Sequence, residues 1–329
     1  MPCLSDSFQR PINYLRVSVT DRCNLRCVYC MPEEGIQLIP HADVLSYEEI
    51  FRIVQAAAEL GITKVRLTGG EPLVRRGLAG FVRMIAGIGS ITDISLTTNG
   101  VLLGKYAAEL KDAGLKRINV SLDSLKPEKF NRISRCDFSL DEVLSGIAAA
   151  KAAGLSPIKL NMVVMKGVND DEIIDFARKT ITEGWNVRYI ELMPFTGAGA
   201  TDPRFMSVHE IKSKLDPLGK MVPHKISVGN GPAKYYCFPG AAGSVGFITP
   251  VSEHFCFNCN RLRLTSDGKL RPCLLAEYEA DLKTPLRNGA TTAELKKLIE
   301  ETVALKPLQH HLADSKPPEH RRPMRQVGG

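Results

Sequence analysis

Nine cysteines occur in 329 residues, and six of them fall into two tight sets. The first set is Cys23-x3-Cys27-x2-Cys30; the second is Cys256-x2-Cys259-x13-Cys273. Thiolates are the usual ligands of iron–sulfur clusters, and a cluster that only carries electrons takes four of them. Each set supplies three, which would leave one iron of a [4Fe–4S] cluster open to a small molecule, as catalytic metal centres keep a position open. Zinc is the alternative reading. The first set offers it no fourth ligand nearby, since His41 stands eleven residues past Cys30. The second set has the CxxC of many zinc sites, and His254 could complete it. The odd count and the absence of an export-type leader argue against a disulfide framework. Cys3, Cys136 and Cys237 are scattered and read as small buried packing residues.

Cations accompany both sets. Within Asn260-Arg261-Leu262-Arg263-Leu264-Thr265 the two arginines alternate with leucines, so they share one face of an extended stretch. Two guanidinium groups beside a metal site suit a phosphate or carboxylate; an exposed strand face is the plainer reading. The same alternation recurs in earlier strands. Arg16, Ser18 and Thr20 share a face, as do Arg66 with Thr68 and Lys159 with Asn161, while Leu15, Val17, Val19, Val65, Leu67, Leu160 and Met162 lie opposite. If the apolar set packs under helices, the cationic set lines a lumen. Buried cations are costly without partners, so an anion such as a triphosphate belongs there unless lumen carboxylates pair with them.

Six strand–helix units must position these groups. The strands read as 14–20, 64–70, 93–98, 117–123, 157–164 and 186–193. The helices read as 46–60, 78–88, 102–113, 139–153 and 170–182, the first opened by Ser46 with Glu49 three residues on. Such alternation implies a parallel sheet with right-handed crossovers. Nearly every strand ends in polar, glycine-rich or reactive residues. Ligand chemistry gathered from several strands at once is the habit of a barrel mouth, whereas a doubly wound sheet concentrates it at one switch point. The expected fold is therefore α/β: an incomplete (β/α)6 TIM-like barrel over residues 1–195, with a smaller α+β domain over 196–329 carrying the second cysteine set. That second part should hold helices over 208–215 and 292–304 and short strands such as 245–248.

Composition is that of an ordinary soluble chain, 44% hydrophobic and 24% charged, with no apolar run near the roughly 20 residues a membrane helix needs. A cytoplasmic protein is expected. Net charge is +7, a mildly basic balance that suits an anionic ligand. Arg321, Arg322 and Arg325 form a basic tail, but no run resembles a nucleic-acid arm.

Cys23-Asn24-Leu25-Arg26-Cys27-Val28-Tyr29-Cys30, followed by Gly69-Gly70-Glu71-Pro72 after the next strand, resembles the radical S-adenosylmethionine superfamily. With the CxxC-x13-C set, the CNRLR run and the terminal Gly328-Gly329, the whole chain from about Tyr14 resembles the GTP 3′,8-cyclase family of molybdenum cofactor biosynthesis. The resemblance implies two [4Fe–4S] clusters and S-adenosylmethionine. The latter's amino and carboxylate groups would chelate the open iron held by Cys23, Cys27 and Cys30, and the GGEP segment would hold the methionine amino group. It maps S-adenosylmethionine contacts onto Tyr29, Gly70, Ser121 and Met193. GTP contacts fall on Arg16, Arg66, Thr97, Lys159, Arg261, Leu262 and Arg263, with guanine at the open iron of the second cluster. Arg261, Arg263, Gly328 and Gly329 are implied in catalysis, the glycine tail reaching into the site. Implied partners are an electron donor such as flavodoxin or ferredoxin and, for the product, cyclic pyranopterin monophosphate synthase. The chain would act as a homodimer or monomer, without membrane or nucleic acid.

Two other readings remain open at this point. A radical enzyme that modifies a peptide would share the first set but favours seven or more C-terminal cysteines, and only three cluster here. A zinc or nucleic-acid-binding protein would interleave aromatic and basic residues, but aromatics are 6% and do not interleave.

Overall fold

The structure, a computed structural model, describes residues 4–193, 202–225, 231–310 and 322–328. Six parallel strands form its centre: β1 (Tyr14–Ser18), β2 (Lys64–Thr68), β3 (Asp93–Thr98), β4 (Arg117–Ser121), β5 (Ile158–Val164) and β6 (Asn186–Glu191), paired in chain order. Helices α1 (Tyr47–Glu59), α2 (Leu78–Ala86), α3 (Leu103–Asp112), α4 (Pro127–Ser134), α5 (Leu140–Ala152) and α6 (Ile173–Thr182) connect them. The later strands are β7 (Val222–Pro223), β8 (Lys234–Cys237), β9 (Ser244–Ile248), β10 (Arg261–Leu264), β11 (Lys269–Arg271) and β12 (Ala280–Asp281); the later helices are α7 (Val208–Leu215), α8 (Lys283–Arg287) and α9 (Thr292–Ala304).

These later strands extend the central sheet at both edges. β9 pairs parallel with β6 and carries the antiparallel β8 and β7; β10 pairs parallel with β1 and carries the antiparallel β11 and β12. Among the described residues the sheet is one open run of twelve strands ending at β12 and β7. It is an incomplete barrel whose missing wall is replaced by strands from the C-terminal third. The expected division between residues 195 and 196 lies outside the described residues.

Local chemistry explains the helices. The Ser46 hydroxyl accepts from the Glu49 N–H at 3.1 Å while Glu49 Oε2 accepts from the Ser46 N–H at 2.7 Å, satisfying two donors that the first turn of α1 would otherwise leave orphaned. Ser139, Ser207 and Thr291 start α5, α7 and α9 in the same way. The inward stripe of α1, including Ile50, Ile53 and Val54, is fully buried, and each such side chain contributes about 1.5–3 kcal/mol. It meets the outer face of the sheet, where Leu15, Val17, Val65 and Leu67 are also buried. The other face of the same strands carries the polar residues.

Three sequence expectations are refined. Strands 1, 2, 4 and 6 end two residues early, at Ser18, Thr68, Ser121 and Glu191, because the chain leaves the sheet for loops there. Residues 170–172 form a 3-10 turn ahead of α6. Helix α4 went unassigned, although Pro127 sits in its first turn, where a missing N–H costs nothing.

Candidate active site

The first cysteine loop rests on the glycines that follow β2. The Gly70 N–H donates to the Thr20 carbonyl at 2.7 Å and the Glu71 N–H to the Arg22 carbonyl at 2.8 Å. A methyl group on Gly70 would overlap the Arg22 carbonyl, so only glycine lets the two backbones lie this close. Glu71 fixes the next loop as well. Its carboxylate accepts from the Thr98 hydroxyl at 2.8 Å, the Leu73 N–H at 3.0 Å and the Asn99 N–H at 2.7 Å. Burial lifts Glu71 to about 7 despite these bonds.

Cys23, Cys27 and Cys30 are free thiols lining one cavity with Tyr29, Gly70, Ser121 and Met193. The Leu25 N–H donates to Cys23 Sγ at 3.4 Å, a contact that suits a cluster-ligating sulfur. Burial pushes Cys23 up to about 11 and Cys30 to about 12. The Tyr29 hydroxyl donates to Asp123 Oδ2 at 2.7 Å, and the Val163 N–H donates to Oδ1 at 2.8 Å. Buried Asp123 is raised to about 6.

Strand register assembles the cations. Arg16 lies beside Arg66 on one side and Arg263 on the other, Arg66 beside Ser95, Asn119 beside Lys159, and Asn161 beside Arg188. Neighbours in register on parallel strands share a face, so one wall of the lumen is a row of positive charge. Arg66 Nε donates to the Ser95 hydroxyl at 3.1 Å and Arg188 donates to Asn119 Oδ1. Among the described residues, Arg66, Arg188, Arg261 and Arg263 have no carboxylate partner. Burial and Arg261 lower Arg263 to about 10; burial, then Arg188, Arg117 and Arg66 lower Lys159 to about 7. Both shifts mark a field that would be relieved by an anion.

The C-terminal tail enters this wall. The Gly328 carbonyl accepts from Arg16 Nη2 at 3.0 Å and from Arg263 Nη1 at 3.2 Å. Arg325 is buried and donates to the Asp21 carbonyl, while Arg322 pairs with Asp267 at 2.9 Å and Glu279 at 2.6 Å. The basic tail is thus folded onto the molecule. Gly329 and Arg321 lie outside the described residues, as does Cys3.

The second cysteine set lies next to this lining in sequence: Phe255 precedes Cys256, Leu274 follows Cys273, and Arg261 stands two residues past Cys259, and all three residues line the cavity. Cys256, Cys259 and Cys273 act electrostatically on one another, and Arg261 approaches Cys259 Sγ at 3.9 Å. Burial alone would raise Cys259, but Arg261 and Lys306 bring it down to about 7. His254 does stand beside this set, and with Cys256 and His310 its ligand atoms converge within 4.8 Å; Cys259 and Cys273 are not part of that convergence.

Most of the residues singled out from sequence therefore meet in one cavity that encloses about 1530 Å³ of atom-free space including its mouth. Two stand apart. Leu262 turns its side chain into the core, leaving only its backbone toward the site. Lys159 is buried behind the lining, its ammonium 5.1 Å from the Tyr235 ring centroid. Arg188 was missed, although it obeys the same alternation as Arg16 and Arg66. Asp123, Asn119 and His310 carried no comparable local signal.

Residues 17–180 match the family model described as the radical SAM superfamily, and residues 185–312 match that described as molybdenum cofactor synthesis C. Among solved structures, Streptococcus suis SuiB bound to precursor peptide SuiA superposes with a TM-score of 0.63 at 14% identity, over 92% of this chain and 67% of that one; this likeness concerns the fold. The fold, the CxxxCxxC loop and the GGEP turn define a radical S-adenosylmethionine enzyme with a cofactor-synthesis C-terminal region. GTP 3′,8-cyclase of Heliobacterium modesticaldum is 51% identical over 98% of this chain and 99% of its own length, and that of Pelotomaculum thermopropionicum is 52% identical over 99% and 100%. The chain belongs to the GTP 3′,8-cyclase family.

Proposed function

We propose that this enzyme, a lyase, cyclises GTP to (8S)-3′,8-cyclo-7,8-dihydroguanosine 5′-triphosphate, the first step of molybdenum cofactor biosynthesis. One observation carries the reading: a single cavity joins a cysteine triad beside a glycine cradle to a cluster of arginines, of which Arg66, Arg188, Arg261 and Arg263 have no carboxylate partner among the described residues, and Phe255 and Leu274, sequence neighbours of the second triad's cysteines, are on its lining. The residues fit the groups. Cys23, Cys27 and Cys30 would hold one [4Fe–4S] cluster, and Cys256, Cys259 and Cys273 the other. When bound, the first cluster and S-adenosylmethionine supply a one-electron C–S cleavage whose carbon radical takes the 3′ hydrogen of GTP.

The protein's own groups bind, orient and exclude water. The Glu71 carboxylate is held by Leu73, Thr98 and Asn99, and the family resemblance assigns the methionine amino group to the GGEP segment at Gly70. Tyr29, tethered by Asp123, and Ser121 and Met193 border the adenosine space. Arg16, Arg66, Thr97, Lys159, Arg261 and Arg263, with the backbone of Leu262, position the triphosphate and base. Arg188 belongs to the same wall. Gly328 places a carbonyl between Arg16 and Arg263, and Gly329 follows it. An electron donor such as flavodoxin or ferredoxin, transfer of product to cyclic pyranopterin monophosphate synthase, a monomeric or homodimeric state, a cytoplasmic location and a division into residues 1–195 and 196–329 complete the proposal. Among the described residues no helix is long and apolar enough to cross a membrane.

The test is anaerobic turnover of iron-reconstituted protein with dithionite and S-adenosylmethionine, with and without GTP, counting 5′-deoxyadenosine and cyclised nucleotide. GTP should strongly stimulate both. Arg263→Ala should weaken GTP-dependent turnover by about ten- to a hundredfold, the worth of one charge-assisted hydrogen bond. Deoxyadenosine at the same slow rate with or without GTP would refute the substrate.

A further inference from the structure

Two buried cations lie against the second cysteine set without touching the substrate cavity. Arg10 is 6% exposed and Lys306 3%. They come from opposite ends of the chain. Residues 4–12 form a small hook in which the Ile12 N–H donates to the Leu4 carbonyl at 2.7 Å. Inside it the Asp6 carboxylate accepts from Arg10 Nε at 2.6 Å, from the Arg10 N–H at 3.0 Å and from the Phe8 N–H at 2.9 Å. That fixes the guanidinium plane. Its outer nitrogens donate to three carbonyls: Cys256 at 2.8 Å, Leu308 at 2.8 Å and Pro307 at 2.7 Å. A planar fork can serve three acceptors at fixed angles, which an ammonium cannot.

Lys306 does the complementary work. Its ammonium donates to the Arg261 carbonyl at 2.9 Å and to the Pro272 carbonyl. Arg261 follows Cys259 by two residues, and Pro272 immediately precedes Cys273. One side chain thus ties together the two segments that bear the second and third cysteines, while Arg10 ties the first to the segment that carries Lys306. The clamp closes through Pro307 and Leu308, the residues next to Lys306.

We propose that Arg10 and Lys306 are positioning residues of the second cysteine site, holding its three cysteines in register and setting the potential of the cluster there. This rests on the reading that this site holds an iron–sulfur cluster. Hydrogen bonding and buried charge around a cluster set its potential, and groups that orient metal ligands govern occupancy. The two cations differ in what they contribute. Arg10 is chiefly geometric, gripping backbone through a fork. Lys306 adds a positive charge held between the segments that carry Cys259 and Cys273.

The experiment uses the full chain with Cys23, Cys27 and Cys30 replaced by alanine, so that all iron reports the second site. Iron and sulfide per chain are counted after anaerobic reconstitution, and the midpoint potential is read by EPR-monitored titration. Arg10→Ala should cut iron to less than half of the parent's roughly four per chain, and Arg10→Lys should recover little, because charge without the fork does not restore the clamp. Lys306→Met should shift the potential to more negative values, and Lys306→Arg should restore it. The same substitutions with the first triad intact should still load the first site, which separates a local effect from misfolding. Full iron in Arg10→Ala together with an unmoved potential in Lys306→Met would overturn the proposal. A parent that takes up no iron would instead overturn the reading of the second site itself.

Discussion

The first cysteine triad lies among carboxylates, and the second lies among guanidinium and ammonium groups. Near Cys23, Cys27 and Cys30 stand Glu71 and Asp123, and burial holds those thiols high. Near Cys256, Cys259 and Cys273 stand Arg10, Arg261, Arg263 and Lys306; there burial still raises Cys256, but the cations outweigh it at Cys259. The same three-thiol motif has been set in fields of different balance, Glu71 and Asp123 against Arg325 at the first and four cations at the second. A pocket edged by carboxylates favours a cationic ligand, and a sulfonium with an ammonium is one. A pocket edged by arginines favours an anion, and a triphosphate is one. In the function proposed above, the first surroundings would take S-adenosylmethionine and the second the triphosphate.

The largest expected effect breaks the pair apart. Cys30→Ala should reduce 5′-deoxyadenosine formation to background, with or without GTP, because no iron is left to bind S-adenosylmethionine. Cys273→Ala should keep the slow GTP-independent cleavage and lose the cyclised nucleotide. Chromatography of both products in one anaerobic reaction checks this. If Cys273→Ala abolished cleavage as well, the two triads would not divide the work as their surroundings suggest.

Much of the first site was legible in sequence because its parts are local. The cysteine loop and GGEP each occupy a few consecutive residues, and alternation along β1 and β2 put Arg16 and Arg66 on the lumen face. Helices α7 and α9 begin directly after their N-caps Ser207 and Thr291 and span the residues their pattern marks. The second site was legible only in part, because it is assembled from distant segments. Nothing near residue 261 announces that β10 pairs with β1, yet that pairing brings Arg263 beside Arg16. Arg10 meets Cys256 across the whole chain, and the His310 ring reaches His254 through tertiary packing alone. Arg188 is a different kind of miss: it follows the same alternation as Arg16 and Arg66, with its chain neighbours Val187 and Tyr189 buried in the core.

A second, smaller effect sharpens the electrostatic half of the comparison. Lys159 stands at about 7 in the ligand-free protein, lowered by burial and by Arg188, Arg117 and Arg66. A bound triphosphate favours the ammonium and raises that value. Binding then takes up a proton above pH 7 and almost none well below it, so GTP affinity should fall as pH rises through 7. The fall should reach about tenfold per pH unit at most, one proton's worth of linkage. Measured from pH 7.5 upward, beyond the phosphate's own titration near about 6, the decline belongs to the protein. Lys159→Met should bind GTP more weakly at pH 7 and show a flatter profile. An unchanged slope would remove Lys159 from the anion site.

The most local effect concerns the tail, which bridges the two fields. Arg325 sits near the first cysteine loop, and three residues later the Gly328 carbonyl meets Arg16 and Arg263. Gly328 has φ +79°, and a methyl group on it would stand 2.6 Å from the Thr68 hydroxyl oxygen. Gly328→Ala therefore meets backbone strain of about 1–2 kcal/mol and a clash with a side chain on β2. The tail should dock roughly five- to thirtyfold less well, in line with that energy. Trypsin cleavage after Arg325, which is buried in the docked tail, should accelerate to match while the rest of the chain keeps its protection. Thr68→Ala added to Gly328→Ala should recover only the part owed to the clash, because the strain at φ +79° remains. Cleavage no faster than in the parent would mean that the tail is held by Arg322 and Arg325 alone, and that the Gly328 carbonyl between the two arginines contributes nothing to keeping it there.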